Sequence, residues 1–492
     1  MITYNDYLEI DRNNNAIVMD FVREVINDHK SSDIYKTAVI AKEYDKHKNV
    51  TITEYQKLLY TITGKAIPDN YSANFKLASR FFHRFIAQEN QYLLGNGVTW
   101  TEDTTEDKLG EDFDIKLQEA GEYALWGGVA FGFFNFDHMD VFAVDEYAPL
   151  YDEENGAMMA GVRFWQIDPL KPLRATFYEI DGYTEYIWAV KDGRLDTDKW
   201  QLIEAGKGMI PKRPYKLKIS ESVADGTQIY DGENYPEFPI VPLWANKHHQ
   251  SELVGLREQI DCYDLIKSGF ANTVDEGSII YWLIQNAGGM DDIDMVKFLE
   301  RIKTMHAAPV ESRGDGAMAE AKTIEPPYQS RETLLDRLRS DLYEDAMALD
   351  TKNISDGAVT ATQIQAAYDP LNEKTDGYEY CILEFIKGIL KVAGIEGEKP
   401  TFTRSLIVNK AEEITSVIQS ADFFDDEYVT RKLLTILGDG DLADEVLERR
   451  QAAEADRMGY EEEGEYEEEG LGEDEGFDVD SEIDSLLAEL EG

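Results

Sequence analysis

The chain has 492 residues, of which 48 are basic and 98 acidic, so its formal net charge is −50. Such an excess of carboxylates excludes an extensive surface built to hold nucleic-acid phosphates or anionic lipid, because binding of that kind depends on Lys and Arg. A hydrophobic content of 43% places the chain among globular proteins, and its length predicts two to four domains.

The N-terminal part of the chain, up to Gly97, has the apolar spacing of helices. Candidate helices run over Ala16–His29, Ser31–Lys46 and Ser72–Tyr92, and Gly95 and Gly97 close this block. We find no apolar core of a secretory signal and no run of about 20 apolar residues of the kind that spans a membrane. We therefore expect a protein that is made and used in soluble form, with no membrane partner.

The character of the sequence changes after a helix expected at Phe113–Trp126. From Gly128 to Ile219, runs of aromatic and β-branched residues alternate with short pairs that end in glycine. Such pairs favour the backbone conformations of tight hairpin turns, so the region predicts an antiparallel sheet. The pairs are Asn155-Gly156, Asp181-Gly182 and Asp192-Gly193.

The segment from Pro242 to Gly394 predicts two helices that flank a compact insertion, then a loop and a third helix. We expect the first helix to begin at Ser251, a side-chain acceptor for free N–H groups, and to end at Gly277. Its apolar positions recur every three or four residues, the spacing of helices that pack almost parallel to a neighbour, with one charged member, Lys267. The apolar members are Leu253, Leu256, Ile260, Tyr263, Phe270 and Val274.

The second helix is expected over residues 328–349 and gives way to a polar, glycine-broken loop at residues 350–360. The third helix is expected over residues 361–393, with Gly394 as its terminating residue. Pro370 lies inside it and predicts a bend, because proline removes a backbone donor and crowds the preceding turn. This order of elements predicts a helical hairpin with a domain at its tip and a loop at its base.

The insertion at residues 278–327 has the pattern of a small α/β unit. Strands are expected at Ser278–Asn286 and Met305–Glu311, with a short helix at Asp291–Lys303 between them. The run Arg313-Gly314-Asp315 spells an adhesion tripeptide, but its glycine and the following Gly316 are typical of a tight turn. We interpret it as a turn.

After Gly394 the chain returns to helices, expected around Lys410–Ser420, Asp425–Leu437 and Leu442–Arg457. From Glu454 to Gly492, 18 acidic residues stand against one basic residue, so residues 458–492 are expected to repel one another and stay disordered. Together the elements predict an α+β protein that is mainly helical, with an antiparallel β region and a small α/β unit.

We find no strong catalytic, cofactor or metal motif in the sequence. It contains no phosphate-binding G-x-x-x-x-G-K-[ST], no H-E-x-x-H and no pair of Cys-x-x-Cys motifs. Cys262 and Cys381 fall on expected helices, so we expect both to be buried as small hydrophobes in a reducing compartment. We predict a protein that is not an enzyme, with no catalytic residues, no cofactor and no metal.

Two other functions stay open at this point. Among 98 carboxylates a pair suited to acid and base catalysis can exist, which leaves a carboxylate-based hydrolase with the β-rich region as its substrate domain. The acidic tail leaves a chaperone-like protein that binds basic partners. Turnover by a monomer would favour the hydrolase, and loss of activity on deletion of residues 458–492 would favour the chaperone.

Two stretches carry a likeness to a known family. One is Tyr92-Leu93-Leu94-Gly95-Asn96-Gly97, and the other begins with Pro239-Ile240-Val241-Pro242 and continues through Asn246, Ser251, Leu253, Ile260-Asp261, Tyr263, Ser268 and Ala271-Asn272. In both, the chain resembles bacteriophage portal proteins of the SPP1 type, the first at the end of an N-terminal helix and the second at the stem helix. With the insertion and the proline-containing helix included, the resemblance extends from about residue 15 to residue 440.

The resemblance implies a portal fold of wing, stem, clip and crown. It implies a ring, usually of twelve copies, at the unique vertex of a phage head, through which double-stranded DNA passes without sequence-specific binding. The implied parts are a wing (1–250), a stem (helices 251–277 and 328–349), a clip (278–327), a tunnel loop (350–360), a kinked wing helix (361–393), a crown (394–457) and the acidic tail (458–492).

The resemblance also implies partners and site residues. The partners are the terminase large subunit, head-completion (adaptor) proteins, the scaffold and the major capsid protein, and the location is the virion after assembly in the bacterial cytoplasm. Candidate residues of the stem lumen are Lys267, Arg331, Arg337 and Arg339, and candidate docking residues of the clip are Tyr281, Trp282, Arg313 and Asp315. The tunnel-loop residues are Lys352, Asn353, Ile354, Ser355, Asp356, Gly357, Ala358, Val359 and Thr360.

Overall fold

The structure, a computed structural model, divides into two compact units, residues 1–406 and residues 407–492. It describes residues 1–60, 65–69, 72–102, 104–191, 194–202, 212–222, 228–277, 281–284, 307–309, 319–322, 328–353, 361–404, 414, 417–437, 440–444 and 446–450. Helices and mainly antiparallel sheets together confirm the expected mixed helix and sheet class.

The helices of the first unit are α1 (Tyr4–Glu9), α2 (Asn15–Ser31), α3 (Asp33–Asp45), α4 (Val50–Glu54), α5 (Phe81–Leu94), α6 (Thr104–Leu109), α7 (Phe113–Gly127), α8 (Arg257–Gly277), α9 (Tyr328–Asp345) and α10 (Ala361–Ala393). Helices α2, α3, α7 and α10 confirm the sequence prediction to within two residues. Asn14 and Ser32 cap α2 and α3, since each side chain accepts a hydrogen bond from a backbone N–H of the first turn.

The structure describes 17 strands, three of them before α7, where none was expected, and the others after the predicted change of character. They are β1 (Leu58–Tyr60), β2 (Ala66–Pro68), β3 (Val98–Thr99), β4 (Val129–Asn135), β5 (His138–Ala143), β6 (Tyr147–Tyr151), β7 (Met158–Trp165), β8 (Leu173–Glu179), β9 (Gly182–Lys191), β10 (Arg194–Leu202), β11 (Lys216–Ser222), β12 (Gln228–Glu233), β13 (Ile240–Trp244), β14 (Tyr281–Ile284), β15 (Ala307–Pro309), β16 (Ala319–Lys322) and β17 (Thr401–Phe402). The described part of the second unit contains α11 (Asp426–Leu437).

The β-rich region forms an antiparallel sheet in the order β10-β9-β8-β7-β6, beside a second sheet in the order β13-β4-β5. Two of the expected turns are confirmed. Gly156 (φ +69°) lies between β6 and β7, and Gly182 (φ +135°) lies at the turn from β8 to β9. A side chain at position 182 would meet the carbonyl oxygen of Arg213 at 2.3 Å, so only glycine fits there.

The first unit has two large hydrophobic cores. In one, α1 and α2 pack on the five-stranded sheet, with Val22 and Phe177 fully buried. In the other, α5, α7 and α10 pack around the β13-β4-β5 sheet, with Leu125, Phe131 and Phe385 almost completely buried. Each sheet therefore packs on helices, and six consecutive residues of β4, Val129–Phe134, are buried, so this strand is covered on both faces.

Three expectations from the sequence are wrong. The helix expected at Ser72–Tyr92 begins only at Phe81, because the preceding residues are extended and donate N–H groups to side chains of α8. The helix expected from Ser251 begins at Arg257, because the buried Ser251 hydroxyl accepts from Leu253 N–H and begins a turn instead. Cys262 is exposed rather than buried, since it lies outside the apolar seam of α8, whereas Cys381 is buried.

Several other predicted elements lie outside the described residues. These are the helix at Asp291–Lys303, the turn at Arg313–Gly316, most of the helix at Lys410–Ser420 and the tail at residues 458–492. The strands expected on either side of the insertion helix are confirmed in their central parts by β14 and β15, and β16 was not expected. The second hairpin helix ends at Asp345, four residues before its predicted end.

Candidate functional site

Helices α8 and α9 form the predicted hairpin. They run antiparallel, because Gln259 near the start of α8 donates to Asp345 at the end of α9, while the ring of Phe270 lies 5.7 Å from that of Tyr328 at the start of α9. Arg331 Nη1 donates to Thr273 Oγ1 at 2.9 Å. Beyond these ends, β14 pairs parallel with β15 and antiparallel with β16, so a small mixed sheet stands at the tip.

One flank of α8 holds an extended segment of the N-terminal region. The N–H groups of Phe75, Leu77 and Ser79 donate to Asn272 Oδ1 (2.6 Å), Ser268 Oγ (3.0 Å) and Asp264 Oδ1 (2.9 Å). Every second residue of an extended chain and every fourth residue of a helix advance by similar distances, about 6–7 Å, so the two sets stay in register. Burial raises the pKa of Asp264, although the hydrogen bonds that its carboxylate accepts from Asn49 and Ser79 oppose the rise.

A buried ion triad joins the base of the hairpin to α5 and α10. Lys374 Nζ on α10 lies 2.7 Å from a carboxylate oxygen of Glu89 on α5 and 2.9 Å from one of Glu252 before α8. It also donates to the carbonyl of Ala346, just after α9, at 3.3 Å. The ammonium group of Lys374 therefore joins a residue before α8, the residue after α9 and helix α5 to α10.

The two carboxylates of the triad compete for one counter-charge. Burial raises the pKa of Glu89 to about 7, against the attraction of Lys374 and with the repulsion of Glu252. Burial disfavours the charge of Lys374 as well, yet Glu89 and Glu252 together hold its pKa above the ordinary value. Lys374 therefore stays charged at neutral pH, while Glu89 titrates there.

The chain after α9 is fixed before it reaches the predicted loop. Helix α9 ends in a Schellman motif in which Met347 takes the left-handed position (φ +52°) and Ala348 N–H donates to Tyr343 O. Gln88 on α5 then holds the backbone of Leu349 from both sides, accepting from its N–H at 3.0 Å and donating to its carbonyl at 3.2 Å. The start of the loop thus has a defined position on α5.

Charged and aromatic contacts complete this anchor. Arg339 Nη2 donates to Asp350 Oδ1 at 2.6 Å, and Asp350 also accepts from Lys352 N–H at 3.1 Å. The Leu349 side chain is buried with Leu371 and two tyrosines, Tyr92 and Tyr368, whose rings stack with centroids 5.6 Å apart. Tyr92 belongs to the first of the two stretches that carry the family likeness, and here it seats the residue before the loop.

The structure places the sequence-predicted basic residues in separate local contacts. Lys267 Nζ lies 5.8 Å from the centre of the Tyr263 ring, Arg331 contacts Thr273, and Arg339 pairs with Asp350. Arg337 lies 3.8 Å from Asp341 and is 80% exposed. Arg337 and Arg339 therefore each pair with a carboxylate of the same chain.

The remaining predicted site residues are only partly described. Lys352 and Asn353 lie in a 3₁₀ turn at Thr351–Asn353, and residues 354–360 lie outside the described residues. Tyr281 and Trp282 form part of β14, the central strand of the tip sheet, while Arg313 and Asp315 fall outside the described part. The structure thus places Leu349, which precedes the loop, against Tyr368 and Leu371 of α10, which follows it.

Sequence reasoning did not find Gln88, Glu89, Glu252 and Lys374. A signal was present in the sequence. Lys374 on α10 and Glu89 on α5 lie three or four residues from apolar residues on the buried face of their helix, where a charged side chain needs a buried partner. Within the described ranges, no group of His, Cys, Asp and Glu side chains is arranged to hold a metal ion. No helix within those ranges is both long and apolar enough to cross a membrane.

Comparison with known proteins identifies the family. Residues 41–465 match the family described as "Phage portal protein, SPP1 Gp6-like". This range covers most of the chain, including the hairpin, its tip and the helices around its base. The chain belongs to the SPP1 Gp6-like family of phage portal proteins, and the resemblance seen in the sequence is confirmed.

Two named relatives agree with this assignment. The portal protein of Bacillus phage SPP1 is 22% identical over 428 residues, which cover 81% of this chain and 79% of that protein. The portal protein of Clostridium phage phiCD119 is 26% identical over 253 residues, which cover 46% of this chain, and the match spans about half of that protein (55%). A solved structure, the neck of a native GTA particle computed with C12 symmetry, aligns at 10% identity with a TM-score of 0.36 over 72% of this chain and 89% of that one.

Proposed function

We propose that this chain assembles into a ring, usually of twelve copies, that serves as a non-enzymatic conduit for double-stranded DNA at the unique vertex of a phage head. Membership in a portal protein family supports this function over the hydrolase and chaperone alternatives. The observation that carries the proposal is the α8–α9 hairpin, tipped by a sheet and followed by a loop whose start is fixed on α5. Hairpins side by side would form the wall of the channel.

The charge of the hairpin suits passage rather than retention of DNA. Helix α8 carries two basic and five acidic side chains, and α9 carries three basic and five acidic ones. DNA presents one phosphate charge per about 1.7 Å, so an acidic wall within a Debye length of about 8 Å repels it. Because Arg337 and Arg339 are already paired with Asp341 and Asp350, they offer little free charge that would hold a phosphate.

The loop is the part of the wall that would contact DNA transiently. Its start is held by Gln88 at Leu349 and by Arg339 at Asp350, so the chain enters the loop from a fixed position. Asp356 and Gly357 are central in residues 352–360, and glycine permits backbone conformations that other residues rarely adopt. We therefore assign contact with the moving duplex to residues 352–360, and the lumen residues Lys267 and Arg331 to the surrounding wall.

The tip of the hairpin would be the docking site of the clip. Tyr281 and Trp282 on β14, with Arg313 and Asp315, would meet the terminase large subunit during packaging and head-completion proteins afterwards. The scaffold and the major capsid protein are the expected partners during head assembly. On this proposal the protein is assembled in the bacterial cytoplasm and ends in the virion.

A first experiment tests the ring itself. Negative-stain images and native mass spectrometry of the purified protein should show a closed ring with a central hole and a mass close to twelve copies. A monodisperse monomer would overturn the proposal, and substrate turnover by that monomer would favour the hydrolase. Deletion of residues 458–492 should leave the ring intact, whereas the chaperone alternative expects loss of all activity.

A second experiment tests the loop. The double variant Asp356→Ala/Gly357→Ala should form rings as the wild type does but package less DNA in a DNase-protection assay with heads and terminase. Glu154→Ala, an exposed change in the turn before β7, is the matched control and should package normally. Failure of the loop variant to form rings would show that these residues serve assembly, which contradicts their assignment to DNA contact.

A further inference from the structure

One face of the five-stranded sheet carries an arginine that lacks a carboxylate partner. Within the described residues the guanidinium of Arg163 forms no ion pair, and its Nε is buried without a hydrogen-bond partner. Other buried cations are paired, since Lys42, Arg339 and Lys374 each lie 2.6–2.7 Å from a carboxylate oxygen. In a chain with 98 acidic residues, a partly buried arginine without one calls for a physical reason.

Aromatic side chains hold the guanidinium of Arg163 in place. Its central carbon lies 4.2 Å from the centre of the Phe142 ring and 5.2 Å from that of Trp165. Burial raises the pKa of Tyr178, and the charge of the adjacent Arg163 opposes the rise. Arginine stacks readily on aromatic rings, because its planar guanidinium is weakly hydrated. The charge therefore has a defined position and keeps donors that an anion can use.

The pairing of the strands places a second arginine on the same face. Arg163 and Trp165 are two residues apart on β7, and Arg174 of β8 lies directly opposite Trp165. Ile187 of β9 lies opposite Arg174. Arg174 is exposed, and Trp165 and Ile187 are partly exposed. We call these four residues the basic patch.

The basic patch lies beyond the contact between the two sheets. The other face of the five-stranded sheet packs on α1 and α2. On the face of the patch, Tyr147 and Tyr178 stack on Phe142 of the second sheet, with ring centres 5.9 and 6.1 Å apart. Glu185, the acidic residue of this face on β9, is already paired with Arg213 at 3.0 Å, so it does not neutralise the patch.

The turn after β7 presents two apolar side chains next to the basic patch. Ile167 is 88% exposed and Leu170 is 72% exposed. Gln166 fixes the shape of this turn, because its Nε2 donates to the carbonyls of Pro169 (3.3 Å) and Lys171 (2.8 Å). A surface that is ordered before binding pays less entropy when a partner arrives, and apolar residues beside arginine are typical of protein interfaces.

We propose that the basic patch binds an acidic peptide segment of a partner protein, with a carboxylate on Arg163 and apolar side chains on Trp165 and Ile187. A carboxylate matches the guanidinium, because it accepts two parallel hydrogen bonds from it. DNA is a poorer occupant, since its phosphates would leave Ile167 and Leu170 uncovered and the net charge of −50 repels it. This inference goes beyond the proposed conduit and does not depend on the ring.

Peptide binding to the full-length protein, measured by calorimetry, tests the patch. The probe is a synthetic peptide that repeats Glu-Glu-Leu four times. Arg163→Met keeps an apolar stem against the aromatic rings but removes the charge, and should raise the Kd roughly tenfold or more. Arg174→Met, at an exposed position where folding is not at risk, should raise it several-fold.

Two controls separate the patch from general effects of charge. Arg23→Met removes one positive charge on α2, which packs on the other face of the sheet, and should bind the peptide as the wild type does. A peptide that repeats Gln-Gln-Leu four times should not bind. Arg163→Lys keeps the charge but not the planar fork, so it should recover part of the affinity, with thermal melting confirming that each variant is folded.

The proposal is overturned if the wild type does not bind the acidic peptide, or if Arg163→Met and Arg23→Met lose equal affinity. Equal binding of the Gln-Gln-Leu peptide would contradict recognition of carboxylates. A short DNA duplex that binds the wild type and loses affinity in Arg163→Met would overturn the peptide partner in favour of nucleic acid. None of these results bears on ring formation, so failure of this inference is distinct from failure of the conduit.

Discussion

Glu89 should make the stability of the fold depend on pH. Its ordinary pKa is 4.5 and its pKa in the fold is about 7, so folding raises the proton affinity of this carboxylate. Protonated Glu89 therefore stabilises the fold fully below pH 4.5, and this contribution is lost as the pH rises through about 7. The difference corresponds to about 3 kcal/mol, since each pKa step of one is worth about 1.4 kcal/mol.

The substitution Glu89→Gln isolates this effect. It keeps a polar group beside Lys374 but removes the titration, so the unfolding free energy of the variant relative to the wild type should rise by about 3 kcal/mol between pH 4.5 and pH 8. Urea unfolding at several pH values, followed by tryptophan fluorescence, measures the difference, because Trp126 and Trp188 are buried. Glu154→Gln, an exposed control, should show no such trend.

A difference in stability that does not depend on pH would also tell us how the triad is charged. If the difference between Glu89→Gln and the wild type does not change with pH, Glu89 is ionised throughout and Lys374 offsets its burial completely. The reasoning that two carboxylates share one ammonium group would then be refuted. Lys374→Met provides the complementary case, because it leaves Glu89 and Glu252 without a counter-charge and should cost about 3–5 kcal/mol at pH 8.

Two packing predictions follow from the same core. Leu349→Ala should lower the unfolding free energy by about 3 kcal/mol in chemical denaturation, because loss of the buried side chain leaves a cavity. Leu334→Ala, at a position that is 43% exposed, should cost far less. Equal losses would contradict the buried position of Leu349 before the loop. Gly132→Ala should cost about 1–3 kcal/mol, because its Cβ would meet the Phe385 ring at 2.5 Å. Gly269→Ala meets nothing within 4 Å and should stabilise α8 by up to about 1 kcal/mol, so thermal melting of the two glycine variants should shift in opposite directions.

Elements with a continuous apolar stripe could be predicted from the sequence. The long helix α10 was found with its end at Gly394, because the stripe runs its whole length and a left-handed glycine satisfies the last carbonyls. The hairpin and the family likeness followed from similar local patterns. Such patterns state which face of an element is buried, but not what lies against it.

The extended segment before α5 could not be predicted for that reason. Phe75 and Leu77 continue the apolar content of α5, and a sequence pattern does not distinguish a helix from a strand that rests on another helix. The conformation is decided by three side chains of α8, Asp264, Ser268 and Asn272. They accept hydrogen bonds from backbone N–H groups that lie almost two hundred residues earlier in the same chain. The candidate site was incomplete for the same reason, because the partners of Lys374 come from three separate parts of the sequence.

Pro370 lies in α10 between the residue that contacts the start of the loop and the residue that forms the ion triad. Before Pro370, α10 contacts the residue that precedes the loop through Tyr368, and a proline at 370 deprives the Ala366 carbonyl of its helical donor. After Pro370, Lys374 is held by two carboxylates, and Phe385 packs against Gly132 of the central sheet. A pull on the loop should therefore bend α10 at its weakened turn before it reaches the ion triad. On this reasoning Lys374 keeps its contacts with Glu89 and Glu252 when α10 bends at Pro370.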